Sequence, residues 1–233
     1  MSLSEELKQE LVEKGAAVVG YADLSDIPEE NRRGFRYGIS ILVTVDPGII
    51  SGIGNGPTIE YYNEYNRLNI LLDNLAQYAS DFLEAKGFKA YPLTRKNVIE
   101  DENTWRSDLP HKTTATRAGI GWIGKCALLV TKQYGSTVRL TTVLTDACLE
   151  TGEPINDSQC GSCTVCTEIC PGNAVKGINW NTQTDRDTFY NAFVCRKTAR
   201  ERTAKIGIQN SLCGLCIYSC PYTREYLRNT AKA

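Results

Sequence analysis

The chain is poor in the features that direct a protein to a membrane, to nucleic acid or out of the cell. Its 233 residues sum to a net charge of −1, so no bulk field draws it toward a polyanion or a lipid surface. No apolar run approaches the length that crosses a bilayer. Met1 is followed by Ser-Leu-Ser-Glu-Glu, without the basic and apolar stretches of a secretory leader. Histidine is nearly missing, and His111 is the only one. A dinucleotide fingerprint is missing too: the glycine-rich residues 47–57 read G-x-G-x-G-P, with proline where the spacing needs glycine. No strong repeat exists beyond two Cys-Pro motifs. The expectation is a cytoplasmic protein with no membrane and no nucleic-acid partner, long enough for one large domain or two small ones.

Cysteine, by contrast, is abundant, with ten residues. With no export signal, that number fits metal ligation in a reducing compartment rather than disulfides. The organising stretch is Cys160-Gly-Ser-Cys163-Thr-Val-Cys166-Thr-Glu-Ile-Cys170-Pro171. It reads C-x2-C-x2-C-x3-C-P, the bacterial ferredoxin run, in which three thiolates on one loop reach one cubane and the fourth ligates another. Structural zinc usually takes two separated C-x2-C pairs instead. Fifty residues on stands Cys213-Gly-Leu-Cys216-Ile-Tyr-Ser-Cys220-Pro221, which lacks its first cysteine. Cys195 is the nearest replacement. The crossed ferredoxin logic then predicts two [4Fe–4S] clusters. Cys160, Cys163, Cys166 and Cys220 hold one, and Cys170, Cys195, Cys213 and Cys216 hold the other. Cys126 and Cys148 are left over, Cys148 as a small buried residue.

Elsewhere the pattern predicts alternating helices and strands. Ser2 and Glu5 have capping-box spacing before a helix marked by Leu3, Leu7 and Leu11. Strands are expected over 16–22, 37–46, 90–93, 128–131 and 138–146, and a long helix over 58–86. Residues 28–36, 47–57 and 97–108 read as loops, 111–118 as a short helix ended by Gly119, and 185–193 as another. Residues 147–159 read as a linker, which divides the chain into domains 1–150 and 151–233. Residues 197–233 hold seven Lys or Arg and two acidic residues. That surface suits an acidic electron donor such as a ferredoxin or flavodoxin, or simply solvates the domain.

One further stretch carries a family resemblance. His111-Lys-Thr-Thr-Ala-Thr-Arg-Ala-Gly-Ile-Gly-Trp-Ile-Gly-Lys125, then Gly135, Leu144-Thr-Asp146 and the cysteine run, is similar to epoxyqueuosine reductase and, more distantly, to reductive dehalogenases. The resemblance implies an α+β protein. An α/β cobalamin-binding-like, nitroreductase-related domain would be followed by a ferredoxin-like domain with two clusters. It further implies a cobalamin faced by Gly119, Gly121, Trp122, Ile123, Gly124 and Lys125, reduced through the clusters by an outside donor. The family's Asp-x-Ala-Pro proton donor is matched only by Asp108-Leu-Pro110, one residue short. His111, whose ordinary pKa suits proton delivery, competes with Asp108 for that role. Cys126 stands where the reductases carry a polar residue without a thiol. The chain stops soon after Pro221, without the helical repeats that help those enzymes hold tRNA, so a small substrate or a corrinoid protein is expected instead. The alternatives are an electron carrier without a corrinoid, and a cobalamin-binding protein without turnover.

Overall fold

A computed structural model describes residues 1–98 and 100–231. In chain order the elements are α1 (Leu3–Glu13), β1 (Val18–Asp23), β2 (Tyr37–Thr44), α2 (Pro47–Gly52), α3 (Ile59–Ala85) and β3 (Ala90–Leu93). There follow β4 (Glu100–Asp101), β5 (Arg106–Ser107), α4 (His111–Arg117), β6 (Trp122–Ile123), β7 (Leu129–Val130) and β8 (Val138–Thr145). The last are α5 (Val165–Glu168), α6 (Arg186–Phe189), α7 (Ala192–Ala204), α8 (Leu215–Ser219) and α9 (Pro221–Thr230). They form two compact units that interleave along the chain. The first is Met1–Val43, Leu68–Ile120 and Arg139–Ile155, and the second is Thr44–Arg67, Gly121–Val138 and Asn156–Ala233. A single cut at residue 150 does not describe this division.

The first unit is a four-stranded sheet, β1-β2-β8-β3, with helices. β1 pairs antiparallel with β2 (Val18 opposite Leu42), and β3 antiparallel with β8 (Ala90 opposite Thr145). β2 is buried continuously from Gly38 to Val43, so both of its faces are covered rather than the single face that alternation predicts. α1 begins with the expected reciprocal bonds between Ser2 and Glu5, a cap that stabilises a helix by about 1 kcal/mol. Its Leu7 and Leu11 are fully buried. A cluster of Ala22, Leu24, Leu93, Leu109, Ala118 and Leu144 fills the core beside α4.

Residues 147–155 are not a linker. The Gly152 N–H donates to the Tyr21 carbonyl (2.9 Å), and the Ile155 N–H to the Thr116 carbonyl (2.9 Å). The buried Arg117 holds the Ile155 carbonyl (3.0 Å) and pairs with Asp26 (2.8 Å). A helix also appears where a loop was expected, at α2. The Asp46 carboxylate accepts from the N–H of Gly48 (2.8 Å) and Ile49 (3.1 Å), and Pro47 presets the first turn.

The second unit packs the β6–β7 hairpin, in which Trp122 faces Val130, with the cysteine-bearing helices. Ile123, Ala127, Trp180 and Phe189 form its core cluster. α7 carries Arg196, Lys197, Arg200 and Arg202, and α9 carries Arg224 and Arg228. Their N-termini are set by the Asn191 side chain, which accepts from the Val194 N–H (3.0 Å), and by Pro221. Among the described residues no helix is long and apolar enough to cross a membrane.

Candidate iron–sulfur centre

Eight half-buried cysteines come together in the second unit. Cys160 and Cys163 lie on the loop that runs into α5, Cys166 within α5, and Cys170 just beyond it. Cys195 sits in the first turn of α7. Cys213 and Cys216 flank Gly214 at the start of α8, and Cys220 caps α9. Burial pushes the Cys195 thiol up, the Tyr190 hydroxyl bond pulls it back, and the thiols of Cys170 and Cys213 repel its charge. Burial likewise raises Cys220, whose charged neighbours are Cys160 and Cys166 and whose sulfur meets the backbone N–H groups of Thr223 and Tyr222. Cys220 thus has Cys160 and Cys166 as neighbours, and Cys195 has Cys170 and Cys213. Among the described residues no three His, Cys, Asp or Glu gather tightly enough for one metal ion. A cubane asks for something else, four thiolates each on a different iron and so set further apart. This donor set fits it.

The glycine-rich loop belongs to the same unit from Gly121 onward. The Trp122 indole N–H donates to Cys160 Sγ (3.4 Å), and the Lys125 ammonium to the Cys163 carbonyl (2.8 Å). Both side chains are buried, at 1% and 4% exposure. Trp122 stands edge-on to Tyr222, centroids 5.0 Å apart. A Cβ on Gly121 would lie 2.3 Å from the Val130 carbonyl, and one on Gly124 2.8 Å from Val130 Cγ2. These glycines are small because the hairpin closes on them. Gly119, in the first unit, has φ +70° and lies against the backbone of Glu153. Gly121 and Gly124 thus face protein atoms on the side where a Cβ would stand.

Cys126 is buried and exchanges hydrogen bonds with Cys166 and with Cys216. The first lowers its pKa, the second together with burial raises it, and the net is well above the usual thiol range. Cys148 is exposed, 3.4 Å from the Tyr37 hydroxyl, and is not a core residue.

The two proton-donor candidates lie in the first unit. Asp108 is exposed, its carbonyl accepts from the Asn31 amide (2.9 Å), and it borders a shallow depression with Arg33, Asn97 and Ser107. His111 is partly buried, with Nδ1 3.1 Å from Thr142 Oγ1. Burial and the nearby Arg139 guanidinium push it down to about 4, against the pull of Asp73. It therefore carries no proton to give near neutrality.

The depressed value also makes a stability statement. Between about pH 6.5 and 4 the unfolded chain binds a proton at His111 that the native one does not. Native stability is then fully present above pH 6.5 and falls as the pH drops toward 4. His111→Gln should remove about 2 kcal/mol of that loss, allowing for partial solvent access. Urea midpoints at pH 7 and pH 4.5 measure it, and equal pH dependence in both proteins would refute it.

Residues 159–223 match the family described as a 4Fe-4S double cluster binding domain. Epoxyqueuosine reductase of Lactococcus garvieae is 36% identical over 110 residues, 47% of this chain and 31% of that enzyme. Over that stretch the chain is similar to the epoxyqueuosine reductases. It spans about a third of the length of that curated relative. Its fold is shared with a reductive dehalogenase studied for B12-dependent dehalogenation, at TM-score 0.72 and 18% identity over 97% of this chain and 33% of that one. It is shared too with an epoxyqueuosine reductase solved with an epoxyqueuosine-modified tRNA stem loop, at TM-score 0.63 and 19% identity over 95% of this chain and 65% of that one. With such a neighbour, the expectation of no nucleic-acid partner finds no support.

Proposed function

We propose that this protein is an iron–sulfur reductase that passes electrons through two [4Fe–4S] clusters to a corrinoid, either bound or presented by a partner. The observation that carries the first half is the interlocked pair of cysteine sets, with Cys195 against Cys170 and Cys213 and Cys220 against Cys160 and Cys166. When bound, the clusters supply one-electron carriers at potentials set by their surroundings. The chain's own residues bury the sulfurs, donate N–H groups to them and hold the loops that bear them. The corrinoid half is supported by the shared fold of the B12-dependent dehalogenase.

Electrons would arrive from an acidic carrier such as a ferredoxin or flavodoxin. Lys197 and Arg200 on α7, with Arg224 and Arg228 on α9, are exposed and offer it a basic face. For the substrate, the stem-loop neighbour puts modified RNA beside small molecules as a class to be assayed.

Anaerobically purified protein should hold about eight irons and eight sulfides per chain. Zinc, or about four irons, would refute the cluster reading. Added cobalamin at tens of micromolar should shift its absorbance bands. With full iron and no such shift, the protein is an electron carrier without a corrinoid.

A further inference from the structure

We propose that loop 122–125 is the outer shell of the cluster held by Cys160, Cys163, Cys166 and Cys220, and that Trp122 and Lys125 make this cluster the easier of the two to reduce. The inference rests on the two-cluster reading above. Two loop residues meet two successive cysteines of one run, in order: Trp122 donates to the Cys160 sulfur (3.4 Å) and Lys125 to the Cys163 carbonyl (2.8 Å). Gly124 completes the fit, its Cβ position 3.6 Å from Cys160 Sγ. A loop closed on a hairpin by glycine and bonded to a metal-binding run at two successive cysteines is built around that run.

The energetic sense follows from charge. Adding an electron makes the thiolate sulfurs more negative, so each N–H aimed at sulfur stabilises the reduced state more than the oxidised one. Lys125 places a buried ammonium on the same loop. No carboxylate among the described residues pairs with it, and a charge in such surroundings acts with little screening. The fourth cysteine, Cys220, adds the backbone N–H groups of Thr223 and Tyr222. Contacts at the other set are neutral: the Ala174 N–H to Cys170 (3.3 Å), the Tyr190 hydroxyl to Cys195 and the Cys126 thiol to Cys216. Trp122 and Lys125 would thereby raise the potential of the group held by the first set above that of the second. Trp122 and Lys125 act here as positioning residues, because they tune a sulfur or hold its loop.

The test is a redox titration under argon, followed by electron paramagnetic resonance, of wild type, Trp122→Phe and Lys125→Met. Trp122→Phe keeps the ring and removes only the donor. One midpoint should fall in each variant, the other should stay, and iron should remain at the wild-type value. Lys125→Arg, which keeps the charge, should restore the midpoint. Unchanged midpoints in iron-replete variants overturn the proposal. So does a folded Trp122→Phe protein that has lost one cluster, which would assign the loop to cluster assembly rather than to potential. Wild-type protein with fewer than two clusters refutes the underlying reading as well, and iron analysis tells that failure from the others.

Discussion

Anaerobically prepared Cys195→Ser protein should carry about four irons per chain in place of about eight. Cys195 is the ligand that no motif supplies, since it lies in a helix rather than in a C-x2-C loop. Its place is fixed without metal. The Asn191 side chain caps α7 at the Val194 N–H, and the Cys195 N–H bonds the Asn191 carbonyl at 3.1 Å. Its thiol is thereby held beside Cys170 and Cys213, where a cluster lacking its fourth thiolate would form. Serine offers a harder, more basic oxygen that soft iron–sulfide chemistry favours less. The paramagnetic spectrum of the reduced variant should lose the interaction between two spins and keep one simple signal. Cys148→Ser, on the exposed residue of the first unit, should keep both clusters, and so should Cys126→Ser. Eight irons in Cys195→Ser would show that another residue completes the second set.

Gly121→Val should destabilise the second unit by about 3 kcal/mol. The new Cβ would lie 2.3 Å from the Val130 carbonyl and 3.0 Å from its carbon. Those atoms are backbone, paired across the hairpin at Trp122–Val130, and cannot turn aside as a side chain can. Relief requires opening the hairpin that carries Trp122 and Lys125, so iron content should fall with stability. Gly52→Ala is the control, because nothing lies within 4 Å of its Cβ position. Thermal unfolding and iron analysis of both variants decide the matter. A stable, iron-replete Gly121→Val protein would return these glycines to a role at a ligand face.

The cysteine spacing was legible in the sequence because ligand geometry is local: three thiolates on a short loop need that spacing whatever surrounds them. The helix over 59–85 was legible for a similar reason, since Leu68, Leu72, Leu75 and Ala79 repeat the helical period and are all buried. Helix α2 was missed because four glycines masked an Asp46-Pro47 start signal that was present in the chain. Helix α9 lacks an apolar stripe: its buried residues are Thr223 and Leu227, and Pro221 was read as the end of a motif rather than the start of a helix. The role of the Gly-Trp-Ile-Gly-Lys loop was not legible at all. Glycine spacing shows that something approaches closely, and only the fold tells whether it is a ligand, a carbonyl oxygen or a cysteine sulfur.

The interleaving of the two units has a consequence for biosynthesis. On an emerging chain, the last segment of the sheet-bearing unit, Arg139–Ile155, appears before the first cysteine of the ferredoxin-like run. The sheet can therefore close on the ribosome while the metal-binding half is still being translated. Segments Thr44–Arg67 and Gly121–Val138 are by then already synthesised and lack the partners they fold with. Both sets of thiols first exist together once Cys213, Cys216 and Cys220 have been added to the chain.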